Sequence, residues 1–315
     1  MSADIGFVIL SHQDTGMLWR LVRRLNQSFD RPPIVCHHDT HQVPIDARAF
    51  GANVRFVARP IRTRWGHLSV VEAFRLTLRE LYEWRPPEWF VFLSANDYPI
   101  KRGAAILSEL ANSSFDAYID YHRVPDYPDL PPPGKPNFAL STRCPIWIRS
   151  AYNRYVARNV KYPGFNRKGR LCIRRLAFRH PRWIKENPFD TDFKCYAGET
   201  WFTARAKCAP LLYADTDVSR KLIKHYQGRL APDESFFHTI LGNSPGLSLC
   251  NDNKRFTDWS SGKPHPEWLG IKDLPALLDS NHHFARKLSE SRDARVLDEL
   301  DRLSEVGQSG VTVTR

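Results

Sequence analysis

Asp233 and Glu234 stand side by side behind a proline in Ala231-Pro232-Asp233-Glu234-Ser235-Phe236-Phe237-His238-Thr239. Proline is best placed at the first position of a helix, and acids in the first turn complement the positive end of its dipole. The pattern predicts a helix start, with Phe236/Ile240 and Phe237/Leu241 four apart and Gly242-Asn243 as a stop. A carboxylate held there is rigid enough to be aimed into a site and to exchange a proton in it. The same acids could also do no more than favour the dipole, and the local pattern leaves both readings open.

Other groups able to do chemistry gather where apolar runs end. Ser11-His12-Gln13, His37-His38-Asp39 and Ser94-Ala95-Asn96-Asp97 each close such a run. Open α/β sheets bind ligands at the carboxyl ends of their strands, so three polar strand ends are expected to converge on one crevice. None of them carries G-x-G-x-x-G or a P-loop, which argues against a dinucleotide or ATP site of those kinds. The histidine pairs 37–38 and 282–283 lack metal-ligand spacing and are assigned to no metal site.

The elements that must position these groups are legible in outline. Ile5–Leu10 reads as a strand, Met17 to Phe29 as an amphipathic helix, and Ile34 to Asp39 as a second strand, a β–α–β unit whose strands should be parallel neighbours. A short strand is expected at Val54–Val57, then a loop from Pro60 to Gly66, a helix from Ser69 to Glu83 and a central strand at Trp89–Leu93. Further strands are expected at Asp116–Tyr121 and Tyr196–Thr203, and helices at 207–226, 272–287 and 292–303.

Composition bounds the class. With 315 residues and 42% hydrophobic content the chain can bury a sizeable core. The apolar N-terminal run is too short to span a bilayer and lacks a basic flank, so no signal peptide or anchor is expected. Six cysteines (36, 144, 172, 195, 208 and 250) without C-x-x-C pairs predict reduced thiols in a cytosolic protein. Lys and Arg exceed Asp and Glu by twelve, and the fourteen bases between Leu130 and Lys185, where no acid occurs, carry the whole surplus. Interleaved with Trp147, Tyr152, Tyr155, Tyr162, Phe165, Phe178 and Trp183, they suit an anionic glycan, an anionic membrane surface or nucleic acid. They would equally suit a solvated rim.

Taken together, Val8-Ile9-Leu10-Ser11-His12, His37-His38-Asp39, Trp65-Gly66, Leu93-Ser94-Ala95-Asn96-Asp97-Tyr98-Pro99-Ile100-Lys101, Ala197-Gly198-Glu199-Thr200-Trp201-Phe202, Pro232-Asp233-Glu234, Asp258-Trp259 and His283-Phe284-Ala285-Arg286-Lys287 carry a resemblance. In that order and spacing the chain resembles the core-2/I-branching β-1,6-N-acetylglucosaminyltransferases and the related peptide O-xylosyltransferases, in a short, bacterial-type form. The basic segment from 130 to 185 has no evident counterpart.

The resemblance implies an α/β, GT-A type, Rossmann-like mixed sheet flanked by helices, a UDP-sugar donor, inversion, and no metal or other cofactor. It implies Glu234 as catalytic base, with Asp233 capping or orienting it. It implies Lys287, with Arg286 as helper, on the donor diphosphate in place of a metal. Ser11, His12, Asp39 and Trp65 are expected on the uridine and ribose side with Asp97, and Glu199, Trp201 and Trp259 with Asp233 on the acceptor side. Asp190-Thr191-Asp192 and Asp215-Thr216-Asp217 lie in the second half and are read as decoys for a metal motif. Glu267 stands where relatives have a second base, so Arg255, Lys263 or Lys272 would have to substitute.

The division expected is a nucleotide-sugar-binding half (1–124), a basic aromatic-rich insertion (125–190), an acceptor and catalytic half of the same domain (191–306) and a disordered tail (307–315). The function expected is transfer of GlcNAc or xylose from a UDP-sugar to a glycan or lipid-linked acceptor, at the cytoplasmic membrane face. Nucleic acid is not an expected partner. The alternative is a non-catalytic nucleic-acid or anionic-surface binding protein, which leaves Pro232-Asp233-Glu234 and the three strand ends without a role.

Overall fold

The computed structural model describes residues 4–124, 150–165, 169–178, 187–262 and 265–306. The Pro-rich run 125–136, Lys263 and the tail after Gly307 lie outside them.

Apolar periodicity sets the first half. Strand β1 (Ile5–Ser11), helix α1 (Thr15–Ser28) and strand β2 (Ile34–His38) form the expected unit, and β1 and β2 pair in parallel from Phe7↔Ile34 to Ser11↔His38. Asp14 caps α1 by accepting from the Met17 N–H at 3.0 Å. Strand β3 (Val54–Phe56) adds in parallel to β2. Helix α2 (Ser69–Trp84) leads to β4 (Trp89–Ser94), which pairs in parallel with β1 on its other side. Short pieces follow: β5 (Tyr98–Pro99), α3 (Gly103–Ala111), β6 (Ala117–Tyr118) and β7 (His122–Arg123).

The basic segment enters the described residues as a turn at Tyr152–Val156, followed by an antiparallel hairpin of β8 (Arg158–Phe165) and β9 (Leu171–Phe178). After it come β10 (Tyr196–Ala197), β11 (Thr203–Arg205), α4 (Ala209–Tyr213), α5 (Asp217–Tyr226), α6 (Phe236–Gly242), β12 (Leu249–Cys250) and β13 (Arg255–Thr257). The described chain ends with α7 (Leu274–Asp279), β14 (Phe284–Arg286) and α8 (Glu290–Val306).

Seven strands make one mixed sheet in the order β12-β6-β11-β4-β1-β2-β3, with β11 antiparallel to both neighbours. The sheet therefore draws strands from both sides of the basic segment. Alternation along β1 and β4 divides the core by faces, as a period of two requires. Val8, Phe90 and Phe92 pack with α2 and with Phe202 and Phe237, whereas Phe7, Ile9, Trp89 and Val91 pack with α1, α8 and Phe284. Cys36, Cys195, Cys208 and Cys250 are free thiols.

Three expected helices are divided. Pro232–Glu234 is a single 3₁₀ turn, and α6 begins only after Ser235, whose hydroxyl is engaged by Tyr226 Oη at 2.6 Å and donates to the Tyr196 carbonyl at 2.7 Å. The 207–226 stretch breaks at 214–216, where Thr216 caps α5 by accepting from the Ser219 N–H at 3.1 Å. One Asp-Thr-Asp string is therefore a helix cap, and in the other Asp190 closes a turn by accepting from the N–H groups of Asp192 and Phe193. In 272–287 the helix ends at Asp279 and 284–286 is a strand between β13 and β5. Lys287 thus follows a strand, not the end of a helix.

Candidate active site

The carboxyl ends of β1, β2 and β4 open on a cavity of about 990 Å³ whose wall includes Ser11, His12, Trp65, Glu199, Trp201, Asp233, Glu234, Trp259, Arg286 and Lys287. Ten side chains expected in one site are thus brought together from positions far apart in the chain.

The acids sit on a tightly held turn. Ala231 takes a left-handed φ of 51°, a conformation that disfavours a side chain, and its N–H donates to the Gly66 carbonyl at 2.8 Å. Glu234 then receives a hydrogen bond from Tyr155 Oη (2.9 Å) and one from Arg154 Nη1 (3.0 Å), both on Oε2, with about a third of its side chain exposed. Burial pushes Glu234 up to about 7; Arg154 opposes the shift and Asp233 adds to it. Asp233 accepts from the Thr200 hydroxyl at 2.9 Å, and burial raises it as well. Its Oδ1 is buried without a partner among the described residues.

Glu199 and Trp259 form a second unit. The indole N–H donates to Glu199 at 2.6 Å, and Asn253 and Thr257 also donate to that carboxylate. Gly198 makes this possible. A Cβ there would meet the Asp120 carbonyl oxygen at 1.8 Å, and its N–H donates to the Glu234 carbonyl at 2.9 Å. The Glu199 and Glu234 loops are therefore fixed to each other.

Cations line the same space. The Arg286 guanidinium lies 4.4 Å from the Trp201 ring, and Lys287 Nζ lies 5.9 Å from Trp268. Burial, then the charge of Arg286, pushes Lys287 down to about 8. Trp65 is two-thirds exposed, its ring edge against His265, so it is not a core tryptophan. Burial lowers His12.

Three residues expected on the donor do not line the cavity. Asp39 is buried behind it and accepts from the Thr63 N–H (2.8 Å), the Thr63 hydroxyl (2.9 Å) and Gln42 (2.9 Å), bracing the loop that carries Trp65. Burial would raise Asp39, but these bonds outweigh it and hold it well below the ordinary range. Asp97 closes the turn after β4 by accepting from the Ser94 N–H and hydroxyl. Arg255 is buried, and its guanidinium is committed to the carbonyls of Asn253, Phe92 and Phe202 over the Phe284 ring. It ties β4, β11 and β13 together, and substitution for a missing phosphate ligand is not open to it. Lys272 does not line the cavity either.

Arg62 and Arg64, from the loop before Trp65, do line it and were not singled out by sequence. Nor was His37. Its Nε2 accepts from the Ile61 N–H at 3.0 Å and burial pushes it down to about 4, so a neutral ring carries its proton on Nδ1. His38 is a brace: the Val43 carbonyl can only accept, so Nε2 donates to it and Nδ1 accepts from the Ser11 hydroxyl at 2.7 Å. Arg154 and Tyr155 lie 80 and 79 residues from Glu234, and no local pattern announces their contact with it.

The family model described as "Core-2/I-Branching enzyme" matches residues 5–127 and 147–278. The match resumes inside the basic segment, so the Tyr152–Val156 turn has a counterpart after all, while Arg286 and Lys287 fall beyond it. The chain is 28% identical to xylosyltransferase 1 of Canis lupus familiaris over 274 residues, 83% of this chain and 25% of that protein. It is 25% identical to xylosyltransferase 2 of the same species over 271 residues, 79% of this chain and 27% of that protein. It is also 25% identical to beta-glucuronosyltransferase GlcAT14B of Arabidopsis thaliana over 238 residues, 74% of this chain and 47% of that protein. The chain thus spans from a quarter to about half the length of these relatives. With both halves of the cavity wall, from Ser11 to Trp259, inside the matched residues, the chain belongs to the core-2/I-branching enzyme family.

Proposed function

We propose that the protein is an inverting, metal-independent glycosyltransferase of GT-A type that moves a sugar from a UDP-sugar to a hydroxyl of a glycan or lipid-linked acceptor. One observation carries this reading. A single cavity holds Glu234, a carboxylate titrating near neutrality, together with Arg62, Arg64, Arg286 and Lys287, none of which has a carboxylate within ion-pair distance among the described residues.

In the reaction Glu234 takes the acceptor's hydroxyl proton while that oxygen forms its bond to the anomeric carbon, on the face opposite the diphosphate. The carbon–oxygen bond to the diphosphate breaks, and its electron pair leaves with UDP. The basic side chains meet the charge that develops there, the task a metal would otherwise perform. His37 Nδ1–H, Ser11 and His12 are placed for the nucleoside, and Trp259, held by Glu199, offers a ring face to the acceptor sugar. The relatives' names divide between xylosyl and glucuronosyl transfer, so the donor is sought among UDP-xylose, UDP-glucuronate and UDP-GlcNAc. Among the described residues no helix is long and apolar enough to cross a membrane. We place the protein at the cytoplasmic membrane face, held by the basic segment.

The test is Glu234→Gln. Transfer should fall about 10²- to 10⁴-fold while UDP affinity stays within a few fold. A variant that turns over normally removes Glu234 from the role. Activity abolished by EDTA would overturn the metal-free mechanism. A protein whose melting temperature rises with single-stranded nucleic acid and not with UDP would be a binding protein instead.

A further inference from the structure

Glu234 does not meet the cavity unaided. Both partners of its Oε2 come from the Tyr152–Val156 turn, which belongs to the acid-free segment. That turn is itself secured: Arg229 Nη1 donates to the carbonyls of Arg154 (2.8 Å) and Ala157 (2.9 Å), and the His225 ring to that of Tyr155. Tyr155 is 1% exposed, and its hydroxyl lies 3.0 Å from the Ala231 carbonyl as well as 2.9 Å from Glu234.

A phenol has one proton to give. With Glu234 ionised, that proton belongs on Oε2, beside the Arg154 bond. Once Glu234 holds the proton of an acceptor, its carboxylic acid can donate to the Tyr155 oxygen, and the phenol proton can turn to the Ala231 carbonyl. Glu234 Oε2, Tyr155 Oη and the Ala231 carbonyl, which also accepts from the Glu234 N–H at 3.2 Å, then keep a partner in both states.

We propose that Arg154 and Tyr155 are positioning residues that keep Glu234 ionised before transfer and accommodate it protonated afterwards. This rests on Glu234 being the base of the reaction above. The charges around it make such a device necessary. Asp233 from its own turn and Glu199 from the 198–200 loop are both acids and both raise it, as burial does. Arg154 is the cation in direct contact, and Tyr155 adds a hydrogen bond of the same sense. Arg286, Lys287, Arg62, Arg64 and His265 line the same cavity without touching Glu234.

The experiment measures kcat/KM against pH for transfer or donor hydrolysis in the wild type, Arg154→Met, Arg154→Lys and Tyr155→Phe. The Glu234 side-chain carbon is titrated by NMR in parallel, assigned by its loss in Glu234→Gln. The wild-type acid limb is expected near 7. In Arg154→Met it should move up by about 1–3 pH units, so that kcat/KM rises only until Lys287 loses its charge near 8 while the NMR titration follows the whole shift, and in Arg154→Lys it should return towards the wild type. Tyr155→Phe should shift it in the same direction by less. A rate lowered equally at every pH, or a Glu234 resonance titrating as in the wild type, would overturn the proposal. If Glu234→Gln retains activity, the base assignment fails, and the NMR titration still decides whether Arg154 and Tyr155 set the carboxylate's charge.

Discussion

Under the proposed function, Lys287 ties donor affinity to pH. Its folded pKa, near 8, lies below that of a free lysine because burial and Arg286 disfavour the charge. The cation is therefore present below 8 and lost as pH rises through it. UDP affinity measured by calorimetry should weaken above about pH 8, and Lys287→Arg, which stays protonated, should flatten that dependence. Lys287→Ala should cost about 1.5–3 kcal/mol, or roughly 10- to 150-fold in Kd. The resemblance and the residue types together pointed to Glu234 and Lys287, since the local pattern alone left Glu234 open between a dipole partner and a base. They misplaced Arg255 because an arginine offered to a phosphate and one spent on buried carbonyls look alike until its neighbours are known. Arg154 and Tyr155 could not be found at the site, since their contact with Glu234 spans about eighty residues.

At the scale of elements, Arg255 joins three strands from their carbonyl side. Burial pushes it down to about 10, which leaves it charged at neutral pH and dependent on the bonds it makes. Arg255→Met would leave the Phe92 and Phe202 carbonyls without this donor. It should lower the unfolding free energy by on the order of 2–4 kcal/mol in urea, with UDP affinity of the folded variant within threefold. Equal stability with lost UDP binding would return Arg255 to the donor site. Long periodic elements were legible: β1, α1, α2 and β4 occupy the residues their patterns indicate. Phe284–Arg286 was not. Three residues have no period, and Phe284 and Ala285 suit a strand between β13 and β5 as well as a helix.

For the whole molecule, the charge surplus is the feature with most reach. Exposed Tyr162, Phe165 and Leu171 on the β8–β9 hairpin accompany the bases of 130–185, a composition suited to an anionic bilayer. Arg174→Glu with Arg175→Glu should weaken binding to vesicles containing phosphatidylserine by about thirtyfold or more, leave neutral vesicles unaffected, and lose its effect at high salt. Unchanged binding would make the segment a solvated rim. Composition could locate the surplus but could not show that Arg154 within it reaches Glu234. That link appears only when the chain is folded. The cavity wall runs from Leu10 to Lys287, so synthesis itself has a consequence. At about 5–20 residues per second, Ser11 and His12 leave the ribosome's active centre roughly 15–55 s before Lys287 is joined to the chain. No nascent fragment that ends before Lys287 can form the complete cavity wall.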